Sequence, residues 1–87
     1  MAYEVTILPA ALRQLANLSR HDRKRIGDKI ERLGAEPRQL GAKRLQGTRE
    51  YLRVRGGDFR VIYTVDDERL KILVLKIAHR REVYRSL

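Results

Sequence analysis

The stretch LKILVLKIA at residues 70–78 constrains the fold of this chain more than any other segment. Its side chains are apolar at consecutive positions from Ile72 to Leu75, so a strand formed here has two faces to bury. A strand with one exposed face alternates apolar and polar residues instead. We therefore expect residues 70–78 to form a strand in the middle of a sheet.

Two further strand patterns precede this segment and are separated by short polar turns. YLRVR (51–55) alternates leucine and valine with arginine, and FRVIYTV (59–65) follows after the turn GGD. The polar stretch DDER (66–69) then leads into the third strand. Because connections this short join antiparallel neighbours, we expect an antiparallel meander of three strands.

The first half of the chain predicts one strand and two helices. YEVTIL (3–8) is rich in β-forming residues, and Pro9 stands where a helix can begin. Ser19 and Asp22 form an S-x-x-D signal for the start of a second helix. That helix carries apolar residues at helical spacing, at Ile26, Ile30 and Leu33.

The order of elements predicts the fold class. Residues 36–50 contain one proline, two glycines and no clear period, so we expect a connecting loop there. The order β-α-α-β-β-β then predicts an α+β fold, with a helical hairpin packed on one face of a mainly antiparallel sheet. The other face is expected to be free to bind a partner. With no repeat or internal linker, one domain is expected over residues 1–87.

Composition excludes several classes of protein. The chain has no cysteine and two histidines far apart in sequence, so we expect neither a disulfide framework nor a thiolate metal site, and no structural zinc site. It has no apolar run of about 18 residues and no signal-peptide pattern at its start, so we expect a cytoplasmic protein with no membrane partner.

The charge of the chain indicates a polyanionic partner. Its 87 residues carry a net charge of +9, and fifteen of the 20 basic residues are arginine. The planar guanidinium grips a phosphate at two points, whereas lysine acts as a point charge. Nucleic acid is therefore the partner that this composition favours, and a generally basic surface is the alternative.

Strand alternation predicts where three of the arginines point. If Leu52 and Val54 face the helices, Arg53 and Arg55 face the other way, and Arg60 follows them on the next strand. Like charges on neighbouring strands repel each other, so this cluster favours an anion bound between them. The alternative is a solvated face that carries charge.

The segment HRREVY, residues 79–84, is the second candidate site. Cleavage of RNA without a metal needs a base for the 2′-hydroxyl, an acid for the leaving oxygen, and cations to stabilise the phosphoryl charge. Tyr84 can serve as the base if neighbouring arginines lower its pKa, and His79 is the usual kind of acid–base residue. The alternatives are a strand-end histidine bonded to a carbonyl and a solvated tail.

The order of elements and two motifs resemble the RelE/ParE superfamily of bacterial toxin–antitoxin toxins. The motifs are YLRVRGGDFRVIYTV and LKILVLKIAHRREVY, and the similarity extends over essentially the whole chain. The basic residues together with Tyr84 are closer to the RelE branch, whose members are ribosome-dependent mRNA endonucleases. The resemblance implies a RelB-like acidic antitoxin as partner, with which the toxin forms a hetero-oligomer. It also implies that the toxin needs no cofactor and no metal, and that it does not bind a membrane. It also implies the ribosome and its mRNA as targets.

The resemblance also implies roles for individual residues. Arg53 and Arg55 match two basic strand positions that are often lysine in the family, and Arg60 matches an arginine that stabilises the phosphate. Arg80 matches a late arginine read as general acid, and Tyr84 a tyrosine read as general base. Because the interval before the tyrosine is short here, Arg81 is the alternative counterpart of Arg80. The alternative functions are a ParE-like toxin that acts on DNA gyrase and a non-catalytic RNA-binding or transcriptional module.

Overall fold

A computed structural model of the chain describes residues 2–39, 42–44 and 51–79, which contain two helices and five strands. The elements are β1 (Glu4–Ile7), α1 (Pro9–Ala16), α2 (Arg20–Leu33), β2 (Lys43–Arg44), β3 (Tyr51–Gly56), β4 (Phe59–Asp66) and β5 (Lys71–His79). The predicted α+β order β-α-α-β-β-β is confirmed, with one short strand added between α2 and β3.

The five strands form one sheet in the order β1-β5-β4-β3-β2. β5 lies between β1 and β4, so the prediction of a central strand at residues 70–78 is confirmed. β5 pairs parallel with β1 and antiparallel with β4, and the hairpins from β2 to β4 are antiparallel as well. The sheet is therefore mainly antiparallel, as the short turns predict.

Local sequence explains where the two helices begin. Pro9 occupies the first turn of α1, where its missing N–H costs nothing. The hydroxyl of Ser19 caps α2 by accepting a hydrogen bond from the backbone N–H of Asp22 at 3.3 Å. Neither helix in the described part of the chain is long and apolar enough to span a membrane.

Both helices pack on the same face of the sheet. α1 lies against β5 and α2 against β3, and together they cover a core built mainly of branched aliphatic residues. The core contains Ala11, Ile26, Ile30, Leu33, Val54, Val61, Tyr63, Ile72, Val74 and Ile77. The fully buried Tyr63 donates its hydroxyl hydrogen to the carbonyl oxygen of Pro37 at 2.7 Å, which ties the segment after α2 to the sheet.

The prediction that residues 36–50 form a loop is wrong at β2. Lys43 lies opposite Arg53, and Arg44 lies opposite Leu52, so these two residues extend the sheet beyond β3. A strand of two residues has no periodicity that a sequence pattern can reveal. It is defined by its pairing with β3, which is a tertiary feature.

β5 is irregular opposite the middle of β4. Tyr63 pairs with Val74, but its neighbour Ile62 pairs with Lys76, so one extra residue of β5 is accommodated between them. Such a bulge shifts the alternation of side chains by one position for the rest of the strand. Residues of β5 before and after the bulge therefore follow opposite parities.

Candidate functional site

The arginines of β3 and β4 project from the sheet face opposite the helices. Val54 and Val61 form a cross-strand pair that is buried in the core on the helix side. Arg55 is directly opposite Arg60 in the next pair, so both side chains point to the other face, and Arg53 shares the parity of Arg55. This is the face to which strand alternation assigns them.

A fourth cation joins these three arginines. Lys43 on β2 lies directly opposite Arg53, and it lines a cavity of about 130 Å³ together with Arg53, Arg55 and Arg60. Sequence reasoning missed Lys43, because it assigned this residue to a loop. The only sequence signal for it is the basic pair Lys43–Arg44 itself.

The cross-strand pairs around this cavity are pairs of like charge. Lys43 faces Arg53 on β2 and β3, and Arg55 faces Arg60 on β3 and β4. Directly opposite cations destabilise a sheet, whereas an anion between them turns the same charges into favourable contacts. The arrangement is therefore suited to bind a phosphate group.

The turn between β3 and β4 fixes one of the arginines. Gly57 adopts a φ of 61°, and its carbonyl oxygen accepts a hydrogen bond from Nε of Arg55 at 3.0 Å. Arg25 of α2 lies against Gly57 so closely that a Cβ added there would collide with its guanidinium. The turn thus holds the stem of Arg55 while its terminal nitrogens remain available to a ligand.

The sheet face that carries these cations also holds a small apolar cluster. Ile62 is 2% exposed and Ala78 is 1% exposed, although both project away from the helices. They form a second small apolar cluster with the half-buried Tyr51. Ile62 pairs with Arg53, and Ala78 pairs with Arg60, so this buried cluster lies directly beside the cations.

The backbone of His79 lies next to this site, but its side chain points to the helix side of the sheet. It pairs with Phe59, and the two rings are in edge-to-face contact with centroids 5.6 Å apart. Phe59 packs against the core on the helix side, whereas the neighbouring pair of Arg60 and Ala78 faces away from the helices. The bulge in β5 causes this orientation of the His79 side chain. Without the bulge, the alternation from Val74 would have pointed His79 to the face of Arg60.

Three of the predicted site residues, Arg80, Arg81 and Tyr84, lie outside the described residues. The last described residue is His79, at the end of β5, and the partner of its neighbour Ala78 is Arg60. The last described residues of β5 therefore lie beside Phe59 and Arg60. His21, the other histidine, lies on α2, where its Nε2 is 2.9 Å from a guanidinium nitrogen of Arg25.

A cluster of mixed charge lies at the other end of β4. Arg38 donates hydrogen bonds to both carboxylate oxygens of Asp67 at 3.1 and 2.9 Å, and the hydroxyl of Tyr3 donates to the same carboxylate at 2.7 Å. The hydrogen bonds from Arg38 and then from Tyr3 lower the pKa of Asp67. A cavity of about 640 Å³ here mixes acidic and basic residues, so it suits an anion less than the smaller basic cavity does.

Sequence comparison identifies related toxins over nearly the whole chain. A family model described as the ParE toxin of the type II toxin–antitoxin system parDE matches residues 5–84. The chain is 36% identical to toxin RelE1 of Methanocaldococcus jannaschii, over 99% of each protein.

Comparison with solved structures identifies the same fold in complexes of toxin and antitoxin. A chain of the toxin–antitoxin complex RelBE2 from Mycobacterium tuberculosis matches with a TM-score of 0.80 and 26% identity, covering 92% of this chain and 100% of that one. A chain of the archaeal RelE–RelB complex from Pyrococcus horikoshii matches with a TM-score of 0.79 and 32% identity, covering 92% and 97%. The chain belongs to the RelE/ParE superfamily of type II toxin–antitoxin toxins and is of the RelE type.

Proposed function

We propose that this toxin is a metal-independent endoribonuclease that cleaves mRNA in the ribosomal A site and thereby stops translation. The observation that carries the proposal is the grouping of Lys43, Arg53, Arg55 and Arg60 around one cavity on the sheet face opposite the helices. Positive charge grouped in this way is what the phosphoryl oxygens need as they gain charge during cleavage.

The reaction begins with attack of an RNA 2′-oxygen on the adjacent phosphorus. The bond from phosphorus to the 5′-oxygen of the next nucleotide breaks, and the products are a 2′,3′-cyclic phosphate and a 5′-hydroxyl. Arg53, Arg55 and Arg60 stabilise the negative charge on the non-bridging oxygens. Guanidinium groups suit this role because each presents several N–H donors in a planar arrangement that matches the oxygens of a phosphate.

Tyr84 and Arg80 are the proposed partners for proton transfer. A phenolate at Tyr84 takes the proton from the 2′-hydroxyl, and we expect the arginines close to it in sequence, Arg80, Arg81 and Arg85, to favour that charged form. Arg80 acts as the general acid: its guanidinium gives a proton to the departing 5′-oxygen, which becomes the 5′-hydroxyl, and then recovers a proton from water. Arg81 is the alternative for this role. The support is proximity in the sequence, because Arg80 and Arg81 follow within three residues of Ala78, the strand partner of Arg60.

His79 is not assigned to proton transfer in this proposal. Its ring contacts Phe59 on the helix side of the sheet, away from the face that carries Arg60. We expect His79→Ala to lower the free energy of unfolding through the lost ring contact and to leave the cleavage rate within about threefold of wild type. A complete loss of cleavage in a folded His79→Ala variant would show that His79 takes part in the reaction.

A RelB-like antitoxin is the proposed partner in the cell. The similar chains from M. tuberculosis and P. horikoshii were solved in complex with such proteins. A net charge of +9 attracts an acidic chain and accelerates its association. Co-expression of an acidic protein encoded beside the toxin should restore growth, and the two proteins should purify together.

One alternative rests on the name of the matching family. The model that covers residues 5–84 is described as the ParE toxin, and a ParE-like toxin would act on DNA gyrase without cleaving RNA. Inducing the toxin in growing cells separates the two functions. The mRNA endonuclease stops incorporation of labelled amino acids within minutes, whereas a gyrase-directed toxin induces the SOS response and chromosome breaks while translation continues.

A further inference from the structure

Lys43 and Arg44 form the two-residue strand β2, and the sheet sends their side chains in opposite directions. Lys43 lies opposite Arg53 and lines the basic cavity of about 130 Å³. Arg44 lies opposite Leu52, which packs against the core, and it lines the larger cavity of mixed charge together with Arg38 and Glu68. The two adjacent cations therefore belong to different surfaces.

Lys43 stands on the edge strand, at the exposed side of the basic cavity. Its side chain is exposed, whereas Arg53 and Arg60 are half-buried further into the sheet. Arg60 reaches the cavity from β4 and Arg53 from β3, so Lys43 brings positive charge from a third strand. A phosphate in the cavity has oxygens on several sides, and the rotatable ammonium of a lysine can meet an oxygen that planar guanidinium groups leave uncovered.

We propose that Lys43 is a phosphate-binding residue of this site, which contacts the RNA phosphate group held by Arg53, Arg55 and Arg60. This inference rests on the proposed function for the nature of the ligand and on the pairing of β2 with β3 for the position of the residue. Lys43 thus holds the phosphate from the open edge of the sheet. Lys43 therefore strengthens substrate binding and does not speed the chemical step, because its ammonium contacts the phosphate equally in the bound substrate and in the transition state.

The chain offers a matched control for this proposal. Lys43→Met removes the ammonium and keeps an unbranched side chain, and Arg44→Met removes one positive charge from the adjacent residue on the other face. Each purified variant is titrated with inorganic phosphate, and binding is followed by the rise of the melting temperature and by NMR shifts of arginine side-chain signals. We expect Lys43→Met to weaken phosphate binding about tenfold, Lys43→Arg to restore it to within about threefold, and Arg44→Met to leave it unchanged.

The same variants are then compared on ribosomes that carry a defined mRNA. Lys43→Met should raise the KM for cleavage about tenfold with little change in kcat, which is the signature of lost uniform binding. Equal weakening by Lys43→Met and Arg44→Met would overturn the inference, since it would show that net charge alone matters. Unchanged phosphate binding and unchanged KM in Lys43→Met would overturn it as well.

The proposed nuclease function and the proposed role of Lys43 can be disproved separately. If wild-type protein does not cleave mRNA but phosphate binding still depends on Lys43 and not on Arg44, the phosphate site stands and the nuclease function is wrong. If wild-type protein cleaves mRNA and Lys43→Met binds and cleaves like wild type, the nuclease stands and the role of Lys43 is wrong. Unfolding in urea checks that both methionine variants unfold at the same urea concentration as wild type, as exposed positions should.

Discussion

The side-chain oxygen Oε1 of Gln14 accepts a hydrogen bond from the backbone N–H of Ile77 at 2.8 Å. This contact joins α1 to β5 at a position where β5 still pairs with β4 but has passed its last pair with β1, Ile7 with Val74. Backbone groups beyond the last pair with a neighbouring strand need another partner on that side, and a side chain that supplies an acceptor satisfies one of them. Gln14 thereby fastens the last part of β5, in which Ala78 lies on the face of Arg60 and His79 on the other, to helix α1.

Replacing Gln14 should therefore destabilise the fold. Gln14→Ala leaves the N–H of Ile77 without its acceptor, and an unsatisfied buried donor costs about 1–3 kcal/mol. Gln14→Glu keeps an oxygen in the same position and should lose less than half as much. Urea unfolding of the two variants measures the difference. Equal stability of Gln14→Ala and wild type would show that water or a backbone shift satisfies Ile77.

The sequence patterns predict most of this fold, because the patterns are local. The meander, the central strand and both helix starts follow from alternation, short turns and the Ser19 cap. The placement of Arg53, Arg55 and Arg60 on one face follows from the same alternation, since β3 and β4 pair without a break.

Two features of the candidate site are not local, and the sequence does not predict them. Lys43 reaches the site through a strand of two residues that exists only by pairing with β3. The orientation of His79 depends on the bulge between its strand and β4, and LKILVLKIA is apolar at too many consecutive positions to reveal a change of parity. Both features arise from tertiary pairing, which overrides the local pattern.

Two glycines should respond to alanine in opposite directions. A Cβ at Gly56 would lie 2.6 Å from Cδ1 of Ile26, because α2 packs closely on β3 at this point. Gly56→Ala should therefore destabilise the protein by about 1–3 kcal/mol through overpacking. Gly27 lies inside α2, and a Cβ there would meet nothing within 4 Å. Gly27→Ala should stabilise the protein by about 0.5–1 kcal/mol, since alanine favours the helix.

A double-mutant cycle tests whether the contact with Ile26 is the cause. Ile26→Val removes the Cδ1 atom that the new methyl group would strike. It should cost about 0.5–1.5 kcal/mol by itself, but less in the background of Gly56→Ala. Strictly additive effects of the two substitutions, measured by urea unfolding, would mean that the glycine is needed for another reason.

The Arg38–Asp67 ion pair should make the protein sensitive to acid. The pKa of Asp67 in the folded protein lies below its ordinary value of 3.8, chiefly because Arg38 donates hydrogen bonds to its carboxylate. The unfolded chain therefore binds a proton more readily than the folded one. The stabilisation is complete above the ordinary pKa and is lost as the pH falls through the lower folded value.

Comparison with Asp67→Asn isolates this contribution from those of the other acids. The free energy of unfolding should fall more steeply for wild type than for Asp67→Asn between about pH 4 and pH 2. Both partners are largely exposed, so added salt should reduce the difference. Parallel pH profiles of the two proteins would show that the ion pair does not contribute to stability.

Tyr84→Phe should separate catalysis from folding. The change removes one hydroxyl, so the free energy of unfolding should stay within about 0.5 kcal/mol of wild type. If Tyr84 is the general base, the rate of cleavage on the ribosome should fall by about 10²–10⁴-fold while ribosome binding changes little. A single-turnover assay measures this rate, and an undiminished rate would assign the proton transfer to another residue.

The two late arginines should differ in their effect on the same assay. Arg80→Ala should slow cleavage strongly, through lost charge stabilisation or lost assistance to the leaving oxygen. Arg81→Ala should slow it less. The reverse order would identify Arg81 as the functional arginine, as the short interval before Tyr84 allows.

Mapping of RNA 5′ ends tests the central claim most directly. Purified toxin is added to a defined mRNA, either free or in a translating system whose ribosomes stall with an empty A site. Alignment of the RNA by the ribosome can contribute up to about 7–11 kcal/mol toward the barrier, so cuts should appear at the A-site codon while the free mRNA stays intact. Arg60→Ala should abolish these cuts. Intact mRNA on the ribosome with wild-type toxin, or equally rapid cleavage of free mRNA, would contradict the account.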